Sequence, residues 1–132
     1  MARPEQVFHI RDREKQLGFA CAIDAGAVVY VSGTCAQDTG GNATAVGDMA
    51  GQMRVIYADI AKALAAHGLD FRDVVKEQIF VTDIAAFRRA LPARAAVYEG
   101  AAPPACTWIE VSGLMRPEYL IEIEVTATRR PA

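Results

Sequence analysis

Residues 48–68 read DMAGQMRVIYADIAKALAAHG, the clearest helix pattern in the chain. Met49, Met53, Ile56, Ile60, Leu64 and His67 recur every three or four residues, which places them on one apolar stripe. The methionines in that stripe read as core filler rather than as a ligand set. Asp48 is suited to cap the start, because its carboxylate can accept from the free N–H groups of the first turn. Gly68 can close the helix in a left-handed conformation, with Leu69 folding back. A helix with one apolar stripe needs an apolar surface to cover, and strand patterns stand on both sides of it.

Upstream, Ala27-Val28-Val29-Tyr30-Val31-Ser32 lies between Gly26 and Gly33. A short β-branched and aromatic run of this kind predicts a buried strand. Cys21 to Asp24 is its expected hairpin partner through the turn at Ala25-Gly26, and Gln6 to Ile10 is expected to add an N-terminal strand. Gln37 to Asn42 is rich in turn formers and reads as a loop. Downstream, Val74 to Val81 predicts a strand. Asp83 caps a second helix beginning Ile84-Ala85-Ala86-Phe87. Pro92 must kink or restart that helix, since its ring removes a hydrogen bond and clashes with the preceding turn; the helical stretch should end near Gly100.

Pro103-Pro104 then leads into a strand over Ala105 to Val111. Ala105, Thr107, Ile109 and Val111 share one face of it; Cys106, Trp108 and Glu110 share the other. Tyr119 to Ala127 alternates more strictly, with Tyr119, Ile121, Ile123 and Val125 opposite Leu120, Glu122, Glu124 and Thr126. The loop Gly113 to Pro117 is expected to join these two strands as a long hairpin. The order β-β-α-β-α-β-β, without a regular βαβ repeat, predicts an α+β fold with two helices on one face of one sheet. In so small a chain, an oligomer interface is the simplest cover for the other face.

The chain has 132 residues, 52% of them apolar and 23% charged, which suits one globular domain spanning residues 1–132. The net charge of −2 gives no bulk attraction to nucleic acid or anionic lipid. Arg11, Arg13 and Lys15, the pair Arg88 and Arg89, and the pair Arg129 and Arg130 read as solvated surface clusters. No apolar run reaches the length of roughly 18 residues that a bilayer span requires, and the polar N-terminus lacks a signal-peptide core. A cytoplasmic location is therefore expected. Cys21, Cys35 and Cys106 are odd in number and form no CxxC pair, which points away from a disulfide framework or a zinc site. His9 and His67 complete no metal motif.

Several segments together resemble the reactive intermediate deaminase (Rid/YjgF) family. They are Val29-Tyr30-Val31-Ser32-Gly33; Asp73-Val74-Val75-Lys76 with Ile79-Phe80-Val81-Thr82-Asp83; Pro104-Ala105; and Ile121-Glu122-Ile123-Glu124-Val125-Thr126-Ala127. The resemblance covers roughly residues 18–129. It implies a chorismate-mutase-like fold and a homotrimer with a central barrel, helices outside and three clefts between subunits. It also implies hydrolysis of reactive enamines and imines to a carbonyl product and ammonia, without a metal or organic cofactor. By the same resemblance, Glu122 positions or activates water, while Ser32 and Gly33 line the cleft. The family's cleft tyrosine is replaced by Phe19, and a cleft asparagine falls at Leu91. The arginine that binds the substrate carboxylate is replaced by Cys106.

Imine hydrolysis requires a polarised C=N bond, a placed water and a proton for the leaving amine, and one carboxylate can act as both base and acid. Glu122 is the candidate, with Glu124 as fallback; the competing reading is a solvated strand glutamate. Cysteine cannot replace the bidentate guanidinium clamp. Phe19, Cys106, Thr107 and Trp108 then suggest a cleft for a larger or less charged ligand, such as a 2-aminomuconate-type substrate. Arg116 in the late loop, or Arg94 after the helix break, could supply a displaced cation. Cys106 itself is either a nucleophile, if its pKa is lowered, or a small semi-buried filler. A trimer that binds a metabolite without turning it over is the alternative to an enzyme.

Overall fold

The computed structural model describes residues 3–130. A six-stranded sheet carries helices on one face. The strands are β1 (Val7–Phe8), β2 (Ala22–Asp24), β3 (Val28–Thr34), β4 (Val74–Val81), β5 (Ala105–Glu110) and β6 (Ile121–Thr128). Their order across the sheet is β1-β2-β3-β6-β4-β5. All neighbours are antiparallel except β4 and β5, which run parallel. The helices are α1 (Asp12–Leu17), α2 (Met49–Ala65), α3 (Ile84–Arg89) and α4 (Leu91–Val97). The α+β expectation holds.

The local signals act as expected. Asp48 accepts from the Gly51 N–H and Asp83 from the Ala86 N–H, so both act as N-caps. Gly68 is left-handed with φ of 72°, and the Leu69 N–H returns to the Leu64 carbonyl. Met53, Ile56, Ile60 and Leu64 of α2 are fully buried, against Ile121 and Ile123 of β6 and Ile79 and Val81 of β4. Pro92 lies in the first turn of α4, where its missing N–H costs nothing, so the second helical stretch divides there.

Three expectations are corrected. Loop 111–120 is no hairpin: β4 lies between β5 and β6, so the chain crosses the end of β4. The N-terminal strand is two residues long and is preceded by a 3-10 turn at Pro4–Gln6. α1 was not anticipated. It is six residues long, and its one buried side chain is a glutamate, Glu14, so it carries no apolar stripe. Glu14 instead accepts from the Ile10 N–H and pairs with His9. Arg11, just before α1, reaches the buried Asp59 of α2 and the carbonyls of Gln37 and Asp38, which ties α1 and the 37–42 loop to the helix layer.

On the sheet face away from α2, Tyr30, Phe80 and Ile109 stand among Glu122, Glu124 and Thr126. Tyr30 is 53% exposed and Ile109 is 43% exposed, so that face carries uncovered apolar surface.

Candidate active site

One cleft forms where α1 meets the end of β3. Gly18 closes α1 with φ of 83°, and the Phe19 N–H returns to the Glu14 carbonyl. That turn sets Phe19 on the rim of a cavity of about 50 Å³, lined also by Leu17, Ser32, Gly33, Cys35 and Gln37. This volume holds a few waters. The register of β3 against β6 shifts between Val31 and Thr34, an irregularity of the kind that re-aims side chains beside sites. The Ser32 hydroxyl is committed, donating to the Ala20 carbonyl at 2.6 Å.

Glu122 of β6 touches two residues of this cleft, Gly33 and Cys35, without itself lining the cavity. A Cβ placed on Gly33 would meet Glu122 Oε1, so only glycine leaves the carboxylate room to lie over the β3 backbone. The other oxygen, Oε2, accepts from the Cys35 thiol at 3.6 Å. Burial, and then the Glu122 charge, raise the Cys35 pKa, which keeps that thiol a protonated donor. Cys35, which the sequence singled out only as one of three cysteines outside any disulfide or zinc pattern, contacts the candidate carboxylate. Its proximity in sequence to Ser32-Gly33 was the available signal.

The second cluster lies at the β5 edge of the sheet. Cys106 of β5 stands next to Glu77 of β4 in the parallel register, both facing the helices. Glu77 is completely buried. It accepts from Tyr57 Oη at 2.8 Å, Tyr98 Oη at 2.7 Å and Arg94 Nε at 2.7 Å. Arg94 Nη2 lies 2.9 Å from Cys106 Sγ. The guanidinium also rests 4.9 Å from the Tyr98 ring centre and 5.2 Å from that of Trp108. Trp108 packs edge-on against Phe87 of α3.

The Cys106 thiol is within 3.2 Å of the Pro104 carbonyl, to which it can donate. Its pKa is raised by burial, against the lowering effect of Arg94, and Glu77 adds to the rise. Burial outweighs the pull of the neighbouring cation, so the thiol stays protonated. Of the two displaced cations considered from sequence, Arg94 is the one at Cys106; Arg116 packs over Tyr119, 5.9 Å from its ring centre.

Within one chain the predicted residues fall into two groups. Phe19, Ser32, Gly33 and Glu122 gather around the β3 cleft. Cys106 and Trp108 lie on β5 facing the helices, whereas Thr107 faces the open side and accepts from Lys76 Nζ at 3.4 Å. Glu122 pairs with Phe80, which faces away from the helices, so Glu122 and Cys106 sit on opposite faces of the sheet. Sequence reasoning missed Glu77, Tyr57 and Tyr98. A glutamate sharing the inward face of the strand with Ile79 and Val81 was the signal for them, because a buried carboxylate requires partners.

Comparison with known proteins fits this geometry. A family model described as Endoribonuclease L-PSP matches residues 14–129. The structure superposes on Rv2704 of Mycobacterium tuberculosis, a member of the highly conserved YjgF/YER057c/UK114 family, with a TM-score of 0.80. Identity there is 31%, over 94% of this chain and 98% of Rv2704. The chain belongs to the Rid/YjgF family. Among other relatives of this Rid/YjgF chain, protein DfrA of Myxococcus xanthus is 34% identical over 108 residues, which is 82% of this chain and 81% of DfrA. YyfA of Yersinia pestis, from the conserved Rid protein family, superposes with a TM-score of 0.79 at 28% identity, over 85% of this chain and 88% of YyfA. The expected fold and family are thus established.

Proposed function

We propose that this Rid/YjgF chain hydrolyses reactive enamines and imines, and that it does so as a homotrimer with its sites between subunits. The observation that carries the reading is the Glu122 carboxylate lying over Gly33, with Cys35 donating to one oxygen and the cleft beside it. A carboxylate so held can take a proton from water as the water oxygen bonds to the C=N carbon. It returns that proton to the nitrogen, giving a carbinolamine; the hydroxyl proton then passes through the same carboxylate to the nitrogen as the C=O bond forms, the C–N bond breaks and ammonia leaves.

Two features support the trimer. The uncovered face carries Tyr30, Phe80 and Ile109, and the outer edge of β5 is unpaired among the described strands. A neighbouring subunit that covers this surface would bring a β5 edge, with Cys106 and Trp108, toward another chain's β3 cleft. That joins two half-sites that a single chain keeps apart. The net charge of −2 favours a small-molecule substrate over RNA. All three cysteines are unpaired, which fits a reducing cytoplasm. Cys106, with its thiol protonated, serves as a cleft wall rather than a nucleophile.

The test is ammonia release from enamines generated in situ, with 2-aminoacrylate and a 2-aminomuconate-type compound as substrates. Release above the buffer rate is expected for at least one. Saturable binding of both with no acceleration would favour a non-catalytic trimer instead.

A further inference from the structure

We propose that Arg94 is the anion-binding residue of this site, presenting the free edge of its guanidinium beside Cys106 to a substrate carboxylate. The identity of that substrate rests on the deaminase reading; the binding of a carboxylate does not.

The geometry begins with the break at Pro92. Restarting the helix there places Arg94 and Tyr98 one turn apart on one face of the α4 region, over β4 and β5. The guanidinium is then fixed from three sides. Nε donates to Glu77 at 2.7 Å, and the Tyr98 and Trp108 rings flank the group at 4.9 and 5.2 Å. Glu77 is in turn held by two tyrosine hydroxyls, which draw part of its negative charge away from the guanidinium. An arginine immobilised this way has lost its side-chain entropy before any ligand arrives.

What remains open points outward. A guanidinium carries five N–H donors. Among the described residues, acceptors are found for Nε, at Glu77, and for one Nη2 proton, at the weakly accepting sulfur of Cys106. Both Nη1 protons and the second Nη2 proton are left without a partner there. The side chain is 14% exposed, and its Nη nitrogens are not among the fully enclosed polar atoms that lack a partner. It lies at β5, the strand whose residues are exposed apart from Thr107. A longer side chain at position 106 would cover Nη2, so the small cysteine is what leaves the edge accessible. Two parallel N–H groups in one plane match the two oxygens of a carboxylate.

Isothermal titration calorimetry with 2-oxobutanoate and its methyl ester, which differ in the charge, tests this. Wild type should bind the acid at least about 10-fold more tightly than the ester, as expected for a charge-assisted pair. Arg94→Gln alone would strand Glu77, so the charge-matched double variant Arg94→Gln/Glu77→Gln is used, with its fold checked by circular dichroism. It should lose the preference, and adding Cys106→Arg to it should restore the preference. Equal preference in the double variant, or none in wild type, overturns the proposal. If the double variant does not fold, Arg94→Lys decides: the preference should fall about 10-fold, because an ammonium lacks the fork, and an unchanged preference is contrary. An absence of wild-type turnover on every enamine would defeat the deaminase reading while leaving the acid-over-ester preference visible.

Discussion

The Glu122 carboxylate occupies the space in which a side chain at position 33 would begin. Position 33 needs glycine for proximity and not for backbone conformation, since its φ lies outside the left-handed region. The atom in the way is the far end of a mobile side chain, so a methyl group at 33 can displace it at small structural expense.

Gly33→Ala should therefore separate activity from stability. Urea denaturation should show a change below about 1 kcal/mol, smaller than overpacking a closed core gives. Enamine turnover should fall by at least about 10-fold as Glu122 is pushed aside. A large loss of stability with full activity would mean that the contact is structural only.

Glu77 predicts the reverse pattern. Removing one member of a buried ion pair costs about 3–5 kcal/mol, because the other is left uncompensated. Glu77→Ala should show a loss of that size in urea at fixed protein concentration. Arg94→Met in the same chain should recover part of it, and the double-mutant cycle gives the coupling. Strict additivity would contradict the pairing.

The helix-facing half of the fold was legible from residue spacing, because burial on one face imposes a period. The stripe of Met53, Ile56, Ile60 and Leu64 and the alternation of Ile121, Ile123 and Val125 each specify one buried side. The caps at Asp48 and Asp83 were equally readable, since capping is local. α1 was not, because Glu14 and Arg11 hold it through hydrogen bonds to distant residues rather than through a stripe. The β5–β6 connection was misread because strand adjacency depends on β4, which is remote in sequence. The same limit applied to the site. Glu122 and Gly33 could be named by resemblance, whereas the junction of Arg94, Glu77 and Cys106 is made by tertiary contact alone.

Alkaline pH should destabilise the fold through its thiols. Burial raises the Cys21 pKa to about 12, and Cys35 and Cys106 are also raised. An unfolded cysteine ionises near pH 8.5. Between about pH 9 and pH 12 the unfolded chain has released a Cys21 proton that the folded chain keeps, so stability falls as pH rises. The slope from Cys21 approaches about 1.4 kcal/mol per pH unit. Cys21→Ala should flatten the alkaline limb of a denaturation–pH profile; an unchanged limb would remove Cys21 as its source.

The uncovered sheet face should control assembly. Ile109→Glu places a charge beside Phe80 on that face without touching the buried core. Sedimentation velocity should show wild type as a trimer and the variant as a monomer, and trimers in both would place the interface elsewhere.

The most direct test of the central claim is kcat/KM of Glu122→Gln on an in situ enamine, set against wild type. Glutamine keeps the size of the side chain and removes the base. The account predicts a fall of about 10²- to 10⁴-fold with an unchanged thermal midpoint. Equal rates in the two proteins would contradict it.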